Sequence, residues 1–145
     1  MRVVPLYARE PGRNNVCVSE PQPAAGKVLY VDDEEALAGL AVRVLERAGY
    51  AAESYTAPGE ALAAFSADPG AYALVMTDHN MPGMSGLDLA VKIHEVRSEL
   101  PVLLFSGYVN DEIRAHAVVI GIKAILDKPT PMAELVAAVR THILT

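Results

Sequence analysis

Asp78 ends an apolar run, and the stretch that carries it, TDHNMPGMSG (77–86), continues with a proline and two glycines that break regular structure. A lone carboxylate at a strand exit, followed by an irregular loop, is a group placed to be reached. Two more carboxylates, Asp32 and Asp33, follow the apolar run VLYV. A hydroxyl, Ser106, follows PVLL and Phe105, and an ammonium, Lys128, closes the run AILDK. Neighbouring carboxylates repel one another unless a cation sits among them. A hard ion that takes oxygen ligands and stays partly hydrated, such as Mg²⁺, suits this set, and nothing in it suits a softer metal. A carboxylate can also attack phosphorus and form an aspartyl phosphate. Phosphoryl transfer asks mainly for positioning and charge neutralisation, so Mg²⁺, Lys128 and the Ser106 hydroxyl would each meet a phosphoryl oxygen.

Each residue has a plainer explanation too. Asp32, Asp33 and Glu34 would cap the helix that follows them, because acidic groups favour the positive end of a helix dipole. Taken singly, Asp78 reads as a solvated strand end, Ser106 as a turn hydroxyl and Lys128 as a surface lysine. Those explanations compete well one at a time and poorly together. His79, His94, His116 and His142 fall on different elements without ligand spacing and are expected on the surface or in packing roles, none as a phosphodonor. Met76, Met81, Met84 and Met132 are expected to fill core or loop space.

The elements that must position these groups begin at Lys27. Apolar runs (VLYV, AAESY, ALVMT, PVLLF, KAIL) alternate with helical patterns, which predicts five strands and five helices. The first helix is expected to bury Leu37, Leu40, Ala41, Val44, Leu45 and Ala48, with Arg43, Glu46 and Arg47 outside and Gly49 as its stop. The last shows Met132, Leu135, Val136, Val139 and Ile143 at spacings of three or four. Continuous apolar strands are buried on both faces, the mark of a parallel sheet covered by helices. Alternating strands and helices then give a doubly wound α/β domain with right-handed crossovers. Ligands bind such sheets outside the carboxyl ends of the strands, where the strand order reverses. Asp32, Asp33, Asp78, Ser106 and Lys128 all leave strands at that end.

Length and composition bound the rest. A chain of 145 residues is about one domain, with core enough for one. Pro5, Pro11, Pro21 and Pro23 mark residues 1–26 as a linker or flexible segment, and VVPLYA within it as an extended piece demoted by Pro5. Residues 27–145 form the expected domain. A net charge of -6 with scattered Lys and Arg argues against a nucleic-acid binder. The single cysteine, Cys17, allows no internal disulfide and no thiolate zinc site, which fits a reducing compartment. No basic leader precedes an apolar core, and no apolar run reaches the roughly 18 residues of a membrane span. A cytoplasmic protein with no membrane contact is expected.

The motifs VDDEE, TDHNMPGMSG, LLFSGY and LDKP, in this order and spacing, resemble the receiver domain of bacterial two-component response regulators over roughly residues 27–142. The resemblance implies a flavodoxin-like sheet of strand order 2-1-3-4-5. It implies that Asp78 is the phosphoacceptor and that Asp32 and Asp33 are the acidic pair, with Lys128 the lysine that pairs with the phosphoryl group. Mg²⁺ would be bound by Asp33, Asp78 and the backbone carbonyl of Asn80, with Asp32 reaching it through water. Ser106 would be the hydroxyl that moves toward the phosphoryl group, and the Lys128–Pro129 bond would be cis, a form that proline makes accessible. One departure stands out: the family usually places Phe or Tyr three residues before the lysine, and this chain has Ile125. An aliphatic side chain gains less contact area between an exposed and a buried pose, so the usual aromatic switch is in question, with Tyr108 as a nearby substitute.

The implied function is a phosphoacceptor signalling module. It would take a phosphoryl group from a histidine kinase or phosphotransfer protein onto Asp78, hydrolyse it slowly, and change its surface meanwhile. An Mg²⁺-dependent phosphohydrolase with an aspartate nucleophile is the alternative from another class, but such enzymes carry Asp-x-Asp after the first strand and VDDEE lacks that spacing. A degenerate receiver acting as a binding module is a third reading. Nothing after the last helix suggests a DNA-binding output, and the proline-rich lead-in favours the terminal receiver of a hybrid kinase over a stand-alone regulator. The resemblance implies a partner face that combines the fourth helix, fifth strand and fifth helix and that could also serve a homodimer.

Overall fold

Three runs of the chain have side chains apolar enough to be buried on both faces, and these three form the centre of the sheet. They are β1 (Lys27–Val31), β3 (Tyr72–Asp78) and β4 (Val102–Ser106). The structure is a computed structural model and describes residues 26–144. The expected linker, apart from Gly26, and its VVPLYA segment lie outside the described residues. Every residue of β3 and β4 is buried, whereas the outer strands β2 (Ala52–Tyr55) and β5 (Ala124–Asp127) are no more than half-buried. The order is β2-β1-β3-β4-β5, and every pairing is parallel. Doubly wound α/β topology and the expected strand order are both observed.

Alternation along each strand divides the core. Val28 and Tyr30 face α1 (Glu35–Arg47) and α5 (Met132–His142) and pack with Ala41, Leu45, Leu135 and Val139. Leu29 and Val31 face α2 (Pro58–Ala67) and α3 (Gly86–Val96) and pack with Phe65, Leu89 and Ile93. A smaller cluster, Leu87, Leu104 and Ala117, lies under α4 (Asp111–Ile120). A 3₁₀ turn, Pro69–Ala71, leads into β3 and was not anticipated.

The buried face of α1 is narrower than its sequence suggests. Ala38, Ala41 and Leu45 are the buried residues, while Leu40 is 39% exposed. At 3.6 residues per turn, Leu40 lies about 100° or more round the helix from the centre of that face. Two alanines let the helix backbone lie close to the sheet, so Leu37 and Val44 flank the contact and Leu40 points past its edge.

Register aligns the strand ends. Val31 pairs with Thr77, Asp78 with Phe105, and Ser106 with Asp127. The residues that follow β1, those that end β3 and β4, and those that follow β5 therefore emerge at one edge.

Candidate functional site

At that edge Lys128 stands between two carboxylates. Its Nζ lies 3.2 Å from Asp32 Oδ2 and 3.3 Å from Asp78 Oδ2. Asp32 has no exposed surface and Asp78 is 5% exposed. Asp33, beside them, is exposed. Asp32, Asp33 and Asp78 each offer an oxygen, all within 4.8 Å of one another. The donor set is oxygen only, two of its members are buried, and one ammonium balances three carboxylates. A hard divalent cation fits that residual charge and that donor chemistry.

Electrostatics record the crowding. Burial raises the Asp78 carboxyl above its ordinary value; Lys128 opposes that, and Asp32 adds to it. For Lys128, burial alone would push the ammonium down, but Asp32 and then Asp78 more than offset it and hold it above the ordinary lysine value. A buried, charged pair whose members perturb each other at a ligand-accessible edge is a mark of a functional site.

Backbone bonds hold these groups in place. Asp32 Oδ1 accepts from the Glu34 N–H at 3.0 Å, while Glu34 itself makes no side-chain cap to α1. Asp32 thus orders the loop into α1 without capping the helix, and faces Lys128 with its other oxygen. After Asp78, the His79 N–H donates to Phe105 O at 2.8 Å and the Gly86 N–H to His79 O at 3.0 Å, so the loop returns to its own start. The two glycines in that loop serve different needs. Gly83 has φ +85°, a left-handed backbone that side chains disfavour. Gly86 is required by proximity: a Cβ there would lie 2.5 Å from Asp78 O and 2.7 Å from Leu104 Cδ1. Ser85 and Asp88 then close a capping box at the start of α3.

The other residues singled out in the sequence are placed as follows. Asn80 is exposed, and its backbone N–H, near the Asp78 carboxyl, slightly opposes the rise that burial imposes there. Ser106 is buried at the end of β4, but its hydroxyl is committed to its own loop, donating to Tyr108 O and accepting from the Tyr108 N–H at 3.2 Å. It is not directed at Asp78 by any hydrogen bond. The Lys128–Pro129 bond is cis. Ile125 packs half-buried against Leu87, Leu104 and Ala117, whereas Tyr108 is 69% exposed.

Tyr30 was missed. It lies buried against Phe105, ring centroids 5.6 Å apart, and lines with Lys128, Pro129 and Met132 a cavity of about 280 Å³ beside the acidic cluster. Burial first, then Asp32 and Asp78, raise its hydroxyl above the ordinary phenol value. The signal was a tyrosine inside an apolar run two residues before Asp32, which a search for strands absorbs as an ordinary core residue.

The family model for the response regulator receiver domain matches residues 28–140. Among similar proteins, the C4-dicarboxylate transport transcriptional regulatory protein DctD of Rhizobium meliloti is 34% identical over 117 residues, covering 81% of this chain and 25% of that protein. The transcriptional regulatory protein FixJ of Azorhizobium caulinodans is 29% identical over 122 residues, 83% of this chain and 56% of its own. This chain thus spans about a quarter to a half of such relatives. In structure, the chemotaxis protein CheY4 of Vibrio cholerae superposes with a TM-score of 0.76 at 25% identity, covering 82% of this chain and 99% of that one. A receiver domain protein from Methanospirillum hungatei gives a TM-score of 0.76 at 26% identity, with 81% and 93% covered. Among the described residues, no helix is long and apolar enough to cross a membrane.

Proposed function

Because this chain belongs to the response regulator receiver domain family, we propose that it accepts a phosphoryl group on Asp78 from a phosphohistidine of a histidine kinase or phosphotransfer protein. The observation that carries this is the single ammonium of Lys128 shared between buried Asp32 and Asp78, beside an oxygen-only acidic cluster. An Asp78 oxygen attacks phosphorus, the P–O bond forms as the donor's P–N bond breaks, and the departing imidazole takes up a proton. Lys128 is within reach of a phosphoryl oxygen on Asp78 and neutralises part of its charge. Asp33, Asp78 and the Asn80 carbonyl would hold Mg²⁺ directly, with Asp32 outside them. When bound, that ion supplies positive charge to the transferring phosphoryl oxygens.

Ser106 completes the site after its hydroxyl leaves Tyr108, which makes the loop that leads into α4 the moving part. Slow hydrolysis of the acyl phosphate resets the module. Residues 27–145 are the receiver unit and 1–26 a lead-in to it, in keeping with the terminal receiver of a longer kinase. The face of α4, β5 and α5 is the output surface, including any homodimer.

Intact-protein mass spectrometry after incubation with acetyl phosphate, with and without Mg²⁺, tests this reading. One phosphoryl adduct that requires both Mg²⁺ and Asp78, and is absent from Asp78→Asn, is the expected result. No adduct on folded protein would overturn it.

A further inference from the structure

His94 sits where three segments meet. It lies in the last turn of α3, its Nδ1 3.0 Å from Ile120 O and its Nε2 2.9 Å from Leu100 O. Both partners are backbone carbonyls, which accept and never donate. A neutral imidazole carries one N–H, so it satisfies one carbonyl and turns a nitrogen lone pair toward the other. Only the imidazolium donates to both.

Ile120 is the last residue of α4, and Leu100 lies on the connection from α3 to β4. The ring therefore ties the end of one helix to the end of another and to the approach to the central sheet. α4 needs such a tie. Ala117 is its one buried residue, and it has no basic residue in its own last turn. The His94 ring, reaching over from α3, meets its last carbonyl instead, at the negative end of its dipole. Gly121, with φ +95°, turns the chain just beyond, and a Cβ there would sit 3.6 Å from His94 Cε1.

We propose that His94 is a protonation-dependent clamp: as imidazolium it pins the C-terminal end of α4 to α3, and on losing the Nδ1 proton it keeps Nε2–H on Leu100 O, releases Ile120 O and loosens that end. The charged groups around it are few. On the α3–β4 connection, Glu99 is held below the ordinary carboxylate value by its own backbone N–H, then by Arg97, with His94 a smaller contributor. Arg97 is occupied by Glu99 and by the carbonyls of Pro69 and Tyr72. Glu95 neighbours His94 on α3. On the α4 side Glu112 and His116 line the groove between the two helices, and Lys123 follows the Gly121 turn. The clamp acts on α4 whether or not Asp78 is a phosphoacceptor.

The test is imidazole ¹⁵N NMR on the full chain from about pH 5.5 to about pH 8.5, which brackets the ordinary histidine range, with amide hydrogen exchange at both ends. His94 should carry protons on both ring nitrogens at the low end and lose one on the way up. Over the same interval the Gly121 and Ile122 amides, both bonded to Ala117 O, should lose protection about tenfold or more beyond the intrinsic pH effect, as expected for losing a charge-assisted hydrogen bond. His94→Gln should show low protection at both pH values. A ring that stays in one neutral tautomer throughout, or protection that ignores the titration, overturns the proposal. So does pH-dependent protection that persists in His94→Gln, which would move the effect to His116. If that variant does not fold, the wild-type titration and exchange decide alone.

Discussion

Lys128 carries more of the site than any other single side chain, because among the described residues it is the one cation within reach of two buried carboxylates. Truncating it leaves Asp32, with no exposed surface, as an uncompensated buried anion. Lys128→Ala should therefore lower unfolding free energy by roughly 2–3 kcal/mol, at or below the usual cost of breaking a buried pair because the lysine is partly exposed. The pH dependence follows from its raised value. A cation whose folded value is raised lends stability that is complete below the unfolded lysine range, near about 10.4, and is lost as pH rises through the higher folded value. The wild-type advantage should thus hold from neutral pH to about pH 10 and shrink beyond it, measured by urea unfolding across that range. An advantage that stays constant into strong alkali would mean that Lys128 acts through packing of its stem. At this scale the sequence was legible for charge and place, since residue type and strand exit gave Asp32, Asp78 and Lys128 together. It was not legible for direction. The Ser106 hydroxyl turns to Tyr108 because a Ser can bond its own backbone two residues on, a local choice that motif spacing does not encode.

At the scale of elements, the junction of β3 and α3 is sensitive to a one-atom change. Gly86 begins α3 while its Cα lies against the end of β3, and an added methyl would meet Asp78 O, Leu104 and the His79 Cα. Two of those three contacts are backbone, which cannot rotate away. Gly86→Ala should destabilise by about 1–3 kcal/mol, as overpacking does, and should also slow phosphoryl transfer by displacing Asp78. Gly83→Ala makes the contrast. It has open space but a left-handed φ, so it should cost about 1 kcal/mol and leave the transfer rate nearly unchanged. Thermal unfolding beside single-turnover phosphorylation of the two variants separates them, and equal rate losses would remove Gly86 from the site. The sequence announced both glycines as breakers without saying which was needed for φ and which for proximity, because that depends on how close α3 packs. The α1 stripe shows the same limit: its apolar residues are legible in the sequence, but Ala38 and Ala41 set the contact and leave Leu40 outside it. Elements were legible from period and length, and their facing was decided by tertiary packing.

For the whole molecule, the strand register delivers three carboxylates and one ammonium to a single edge of a chain whose net charge is already -6. The fold should be complete from Gly26 onward, since β1 starts at Lys27 and its partners β2 and β3 are both present. Deleting residues 1–25 should therefore shift the thermal midpoint by no more than about 2 °C, less than about 1 kcal/mol for a domain of this size. The acidic edge makes a sharper demand. Burial and Asp32 raise the Asp78 carboxyl despite Lys128. An acid whose folded value is raised costs stability once pH exceeds the ordinary carboxylate range, and that cost is relieved as pH falls through the folded value. Without a divalent cation at pH 7, Asp78→Asn should then be more stable than wild type by about 1 kcal/mol, or about 3–6 °C. That gap should narrow toward about pH 4 as Asp78 takes up a proton. Mg²⁺ should reverse the order, because an ion that binds only the folded wild type stabilises it by about 2.7 kcal/mol at 100 times its dissociation constant. The variant, one ligand short, should respond far less. Melting curves of both proteins at two pH values, with and without Mg²⁺, test each step. A wild type that is more stable than Asp78→Asn in the absence of metal would mean that Lys128 already neutralises the cluster, and the case for a resident cation would lose its electrostatic basis.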